Sequence, residues 1–326
     1  VDSSTMAAAG LVSLGATAAL LFLLAGFGDK ALAGVCFCLI GVAIIGVQPF
    51  LNAAAMERVQ QGLALNYGLA RGIGSVSYAA FSALAGVILG RFGGSGLVAT
   101  YIFLSLAVLL ALAAFSAGAG RTVSARQSGE TLSGAALLRR NPQFCWFLVS
   151  SVLLYAAHMM AITYMDAIVG RAGGTEAELG LAVAVGAAAE FPAMALLQRI
   201  RRRFSAKQIL LFSAVSFAVK LLCLAAAVSM TWVYLASLLQ LAAYSLFTGM
   251  SVYYVTDVVD PANQAKGQAL CSGASTIGAV LGNYAGGVLL EHLSVGKTMF
   301  FGALLAGAGA VLLTRCFNGS TAPSKV

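Results

Sequence analysis

GLARGIGSVSYAAFSALAGVILGRFG, residues 68–93, is apolar for most of its length, has Arg71 as its single charge before Arg91, and lays small residues along one face. About 20 apolar residues span the hydrocarbon of a bilayer, so this stretch reads as a membrane helix packed closely on a neighbour. Residues 269–296 repeat the pattern: Ala85-Gly86-Val87-Ile88-Leu89 stands against Gly286-Gly287-Val288-Leu289-Leu290, an offset of about 201 residues. Recurrence over so long a period points to a duplicated unit.

The whole chain has the same character. Hydrophobic residues make up 60% and charged residues 9% of 326 positions, far from the roughly 25% charged residues of a soluble domain. The segments run continuously apolar instead of alternating at period two, which excludes a barrel and leaves helices that satisfy their own backbone. Ten segments qualify: 6–27, 31–53, 70–90, 96–118, 144–165, 178–198, 208–229, 231–253, 267–290 and 297–315. The repeat offset then covers six helices, and tandem six-helix halves are one architecture of secondary transporters. The expected fold is an all-α membrane bundle of two pseudo-symmetric halves.

Orientation follows from lysine and arginine. One set of connections holds Arg58, Arg121, Arg126, Arg139, Arg140, Arg199, Arg201, Arg202, Arg203, Lys207 and Lys266; the alternate set holds Lys30, Arg91, Arg171 and Lys297. By the positive-inside rule the first set, and with it both chain ends, is cytoplasmic. The net charge of +8 is therefore mostly topology, and Arg201 to Arg203 form a short basic loop rather than a nucleic-acid site. Cys36, Cys38, Cys145, Cys223, Cys271 and Cys316 lie in or beside apolar segments and read as buried free thiols.

Shifting the basic loop 199–207 back by the repeat offset reaches the first residues of the chain, which begins with Val1. The expectation is ten of twelve helices with the first two missing; a ten-helix protein is the alternative. The domains follow: 1–118 as the remnant of the first half, 119–142 as a cytoplasmic linker ending in a short surface helix before Asn141-Pro142, 143–317 as a complete six-helix half, and 318–326 as a cytoplasmic tail.

Glu190 and Lys220 sit near the middles of two consecutive apolar segments. A lone ion at the bilayer centre costs roughly 2.5 to 3.5 kcal/mol on insertion scales, so such residues face a cavity or a partner and mark a pathway. Low dielectric disfavours the ionised carboxylate while a nearby lysine favours it, and a group so balanced can take up a proton on one side of the membrane and release it on the other. The structural alternative is an ion pair joining adjacent helices.

Several stretches together resemble the major facilitator superfamily, and within it the lactose permease and the phenylpropionate and nucleoside proton symporters. They are Asn66 to Ser75, Arg139 to Leu148, Glu190-Phe191-Pro192-Ala193-Met194 with the basic loop and Lys220, and Asp260-Pro261 leading into Gly267 to Leu270. The resemblance implies that Glu190 is a mid-membrane substrate contact, that Arg71 reaches the substrate from the fifth helix, and that Lys220 replaces an arginine, keeping the charge without the bidentate fork. It also shows departures. The glutamate partnering the fifth-helix arginine in lactose permease matches Ala53, with Asn52 beside it, and the histidine and glutamate of its tenth helix match Gln240 and Ala243 or their neighbours.

Other polar groups inside the spans extend the candidate set. His158 can relay a proton near neutral pH, Tyr155 on the same face can stack on a ring or bond it, and Gln48, Asn52, Gln240 and Tyr244 can line a cavity or bond helix to helix. Asp257 and Asp260 raise a competing class, a magnesium-dependent membrane prenyltransferase-like enzyme, but no second acidic pair accompanies them. A membrane receptor needs no chemistry and is the third reading. The chain carries no full P-loop, and its glycine-rich stretches are not preceded by strands. The expectation is a monomeric transporter without cofactor or metal, in a bacterial inner membrane. It moves a small polar organic solute (carboxylate, nucleoside or sugar) with protons, or exports amphipathic compounds by antiport.

Overall fold

The computed structural model describes residues 3–25, 30–60, 67–118 and 132–317. Among the described residues every regular element is a helix: α1 (Ser3–Ala25), α2 (Lys30–Gln60), α3 (Tyr67–Gly118), α4 (Gly134–Arg140), α5 (Pro142–Thr163), α6 (Met165–Arg171), α7 (Glu176–Arg203), α8 (Ala206–Ala226), α9 (Met230–Leu238), α10 (Tyr244–Val258), α11 (Gln264–His292) and α12 (Val295–Phe317). Seven stretches among these residues are long and apolar enough to cross a membrane: Lys30–Asn52, Arg91–Ala113, Pro142–Thr163, Glu178–Arg203, Ala206–Ala226, Met230–Val258 and Val295–Phe317. The other expected segments are helical as well, within α1, the first part of α3, and α11.

Three of the expected boundaries have identifiable causes. α3 is two helices in succession, broken at Gly93, whose φ of 67° lies where only glycine avoids a Cβ clash. The sequence also marks helix starts: Thr175 and Glu178 form a reciprocal capping box on α7, and Ser205 and Gln208 do the same on α8. The expected continuous helix over 231–253 is not found. It breaks into α9, a 3-10 turn over Leu239–Leu241, and α10.

The chain divides into two compact units, Val1–Leu65 with Ala80–Thr131, and Asn66–Ala79 with Leu132–Val326. In the first, α1 packs along α2, with Phe22 and Phe37 edge to face at 5.2 Å. In the second, α5 is sandwiched by α11 and α12, and α12 leans on α8. An aromatic core of Phe144, Phe147, Phe217, Phe247 and Tyr254 fills the interior, the Phe147 and Tyr254 rings 4.7 Å apart.

Close helix contact rests on small residues, as the repeat suggested. Gly278, Gly282 and Gly286 follow one another at every fourth position of α11 and meet Val152, Ala156 and Tyr164, so that a Cβ on Gly282 would run into the Ala156 carbonyl. The thiols correct one expectation. Cys36 and Cys316 are buried, but Cys38 and Cys145 are exposed, because an apolar membrane segment has two dry sides and composition does not separate the protein side from the lipid side.

Replacing Gly282 with valine should overpack this contact and cost about 1–3 kcal/mol. Gly307→Ala, whose Cβ would meet nothing within 4 Å, should unfold no earlier than the parent. Thermal unfolding of the two variants in detergent checks the contrast.

Candidate functional site

The face of α8 shows why Lys220 points inward. Phe212, Val215, Val219 and Leu222 form an exposed apolar stripe, while Ser213, Phe217, Lys220 and Leu224 are buried on the opposite side. On α7, residues 182, 183, 186, 187 and 190 share one face, which brings Glu190 to the same interior space. Pro192, two residues on, removes one amide from the helical ladder beside the carboxylate. The beginning of α3 completes the wall. Gly68 and Gly72 lie so close to Met194 and Phe191 of α7 that a Cβ at Gly68 would strike the Met194 carbonyl, and Arg71 and Ser75, one turn apart, turn toward Glu190.

These elements enclose a cavity of about 430 Å³ within the second unit, lined by Arg71, Ser75, Tyr78, His158, Glu190, Lys220, Ser237, Gln240 and Tyr244 together with apolar residues of α5 to α7. The volume is in the range of a site for a small organic molecule. Among the described residues Glu190 is the one acidic residue lining it.

Glu190 and Lys220 do not form a direct ion pair. The Lys220 ammonium donates to Gln240 Oε1 at 2.5 Å, Gln240 Nε2 donates to Glu190 Oε1 at 3.1 Å, and Ser75 Oγ donates to Glu190 Oε2 at 2.8 Å. An amide has one accepting and one donating end, and here each meets the charge it suits. Arg71 hydrogen-bonds Tyr67, and its charge acts on Glu190, Tyr155 and Tyr244.

The break between α9 and α10 is what delivers Gln240. The 3-10 turn swings its side chain into the cavity. The hydroxyl of Ser213 donates to the Ala243 carbonyl, and Ser245 Oγ to the Gln240 carbonyl at 3.3 Å, so the interrupted ladder is answered by side chains. No proline or glycine announces this break in Leu239-Gln240-Leu241-Ala242-Ala243.

Six of the nine candidate residues thus meet: Arg71, His158, Glu190, Lys220, Gln240 and Tyr244. Tyr155 stands behind them, its hydroxyl 3.3 Å from Thr248 Oγ1 and its ring edge-on to Tyr244 at 6.1 Å. Asn52 belongs to α2 of the first unit, and the side chain of Gln48 lies outside the described residues. Sequence reasoning missed Ser75 and Ser237. A serine in an apolar helix usually bonds its own preceding turn, as Ser151 and Ser216 do here, so its identity alone gives no signal. Asp257 is engaged elsewhere, 3.7 Å from Arg201. Among the described residues no three His, Cys, Asp or Glu side chains cluster to hold a metal.

A helical membrane bundle with a polar, charge-bearing internal cavity has the architecture of a solute transporter. Residues 2–301 match the MFS_1 like family, and the chain belongs to it. It is similar to the maltose permease of Geobacillus stearothermophilus, 26% identical over 269 residues that cover 82% of this chain and 67% of that protein. In fold it is similar to the Fucose:proton symporter FucP of E. coli (TM-score 0.70, 15% identity, 96% of this chain and 84% of that one). The nucleoside transporter NupG is similar too (TM-score 0.65, 16% identity, 97% and 83%). The chain is accordingly a multi-pass membrane transporter and not an enzyme.

Gln240→Leu should strand the Lys220 ammonium and one Glu190 oxygen, costing about 2–4 kcal/mol. Adding Lys220→Met and Glu190→Gln should recover part of that loss, since the triple variant removes the Lys220 and Glu190 charges together and leaves a neutral amide beside Ser75. Unfolding temperatures of the single and triple variants test it; a Gln240→Leu protein as stable as the parent would dismiss the bridge.

Proposed function

We propose that the chain takes up a small hydroxylated solute, of the sugar or nucleoside class, by symport with protons, and that Glu190 is the protonated group. The observation that carries this reading is that Glu190 is, among the described residues, the sole carboxylate lining the cavity, held from two directions by Ser75 and Gln240. The names of the similar proteins, a maltose permease, a fucose:proton symporter and a nucleoside transporter, favour the same solute classes.

Ionised, Glu190 offsets part of the positive charge of Lys220 and Arg71; protonated, it withdraws that negative charge from the wall. The two charge states therefore favour different arrangements of the helices that carry these groups, which is what alternating access requires of a coupling residue. Arg71 and Tyr244 supply solute contacts, and His158 stands beside them. A second reading, an anionic solute such as an aromatic carboxylate, is favoured by the same two cations against one carboxylate.

The wider assignment keeps the division into a first half (1–118), a linker (119–142) and a second half (143–317), acting as a monomer in a bacterial inner membrane with its basic connections and both ends in the cytoplasm. In a cysteine-free background, Arg203→Cys should be labelled by an impermeant maleimide only from the cytoplasmic side, and Ala172→Cys only from the other. The reverse pattern would invert the topology.

In proteoliposomes offered maltose, fucose, uridine and phenylpropionate, accumulation of one hydroxylated solute should depend on an inward proton gradient. Glu190→Gln should lower that accumulation by about tenfold or more while leaving solute exchange active, because exchange needs no net proton movement. Full gradient-driven accumulation by Glu190→Gln would remove this residue from the coupling role, and selective uptake of phenylpropionate would favour the anionic reading.

A further inference from the structure

Cations gather where α4, α5 and α12 meet. Arg139 and Arg140 lie in the last turn of α4, which packs on α5, and Arg315 lies in the last turn of α12. Cys316 Sγ donates to the Gln143 carbonyl at 3.1 Å and so holds the end of α12 against the beginning of α5. Arg140 stands three residues before Gln143, at most about 10 Å of chain, a separation that two arginine side chains can close on one ligand. Lys207 of α8 adds a fourth cation, its ammonium 5.9 Å from the centre of the Phe317 ring.

Nothing of opposite sign accompanies them. Among the described residues the one ion pair joins Arg201 to Asp257, so these four cations have no carboxylate partner, and all four are exposed. Arg315 instead meets the Trp146 ring, its guanidinium carbon 6.0 Å from the ring centre. A ring attracts a cation but accepts none of the in-plane N–H donors of the fork, which stay available for an anion.

The positive-inside bias puts cations in connections, yet Arg315 belongs to the span Val295–Phe317 and Trp146 to the span Pro142–Thr163. A tryptophan at the end of a span sits at the level of the lipid headgroups. From Arg315 toward the start of α12, Val311, Ala308, Leu304 and Phe300 follow at steps of three or four, which keeps them on its face, and all are exposed. At 1.5 Å per residue this stripe is about 22 Å long, longer than the roughly 15 Å of hydrocarbon in one leaflet.

We propose that this corner binds one anionic phospholipid, its phosphate-bearing headgroup held by Arg139, Arg140 and Arg315, its glycerol region beside Trp146 and an acyl chain along the α12 stripe. The arginine fork suits phosphate oxygens. A zwitterionic headgroup would bring an ammonium of its own into the cluster, and a soluble anion would make no use of the indole or the stripe. Which leaflet holds the lipid follows the orientation proposed above; the binding itself does not depend on it.

Native mass spectrometry of the full chain in detergent, titrated with phosphatidylglycerol and with phosphatidylcholine of equal chain length, measures the preference. The parent should bind the anionic lipid about tenfold more tightly or better, and its melting temperature should rise more with that lipid. Arg315→Gln should cut the preference by about fivefold, the worth of one cation beside an anionic headgroup, and adding Arg140→Gln should abolish it. Both side chains are exposed, so the lipid-free variants should melt with the parent. Lys297→Gln removes the same charge from the opposite end of α12 and should keep the preference intact. Equal affinity of the parent for the two lipids overturns the site, as does a loss in Lys297→Gln matching that in Arg315→Gln. Displacement of bound phosphatidylglycerol by inorganic phosphate would assign the cluster to a soluble anion and overturn the lipid as its occupant.

Discussion

Hydrocarbon offers no hydrogen bonds, and each polar group carried into it must be answered from within the chain. Helices do this for the backbone. Where a helix ends or breaks, side chains take over: the Arg171 guanidinium donates to the carbonyls of Leu224 and Ala227 at 2.8 and 2.6 Å, closing the end of α8. Ser213 and Ser245 answer carbonyls at the break before α10, and that break carries Gln240 inward. The same necessity governs Lys220, which is buried and finds its acceptor in Gln240.

Interposing an amide between two ions changes what the pair can do. A direct contact would gain more Coulomb energy and would bind the helices tightly. Through Gln240 each ion keeps a charge-assisted hydrogen bond, yet Glu190 retains lone pairs for Ser75 and for the cavity. The carboxylate is stabilised but not consumed. A group in that condition still offers lone pairs to the cavity, and α7 and α8 are held by their capping boxes and by the apolar contacts beneath.

Most of the architecture was legible because membrane segments announce themselves by length and apolarity, and the small-residue repeat located close packing that the glycines of α11 confirm. Glu190 and Lys220 were legible as ions out of place. Their connection was not, since the sequence pairs opposite charges by proximity and gives no hint that a glutamine from a third helix stands between them. The discontinuity at Leu239 to Ala243 has no proline or glycine to mark it; it is held by hydroxyls on α8 and α10 that look ordinary in isolation. Tyr155 shares the helical face of His158, and Thr248 and Tyr244 hold it one layer back. Capping motifs at Thr175 and Ser205 were present in the sequence and would have sharpened two boundaries.

Gln240 is also a swivel. Rotation of its terminal amide by half a turn exchanges the accepting and donating ends, so the bridge is indifferent to which side bears the cation. A descendant with lysine at position 190 and glutamate at position 220 would keep both amide hydrogen bonds, and the Ser75 hydroxyl, which accepts as well as donates, would follow. Among the described lining residues Arg71 is the remaining charge, and it gives the site a fixed polarity. Charge inversion during divergence is therefore gated by one residue on α3 and not by the bridge, and the reversal becomes accessible to a lineage that loses that arginine first.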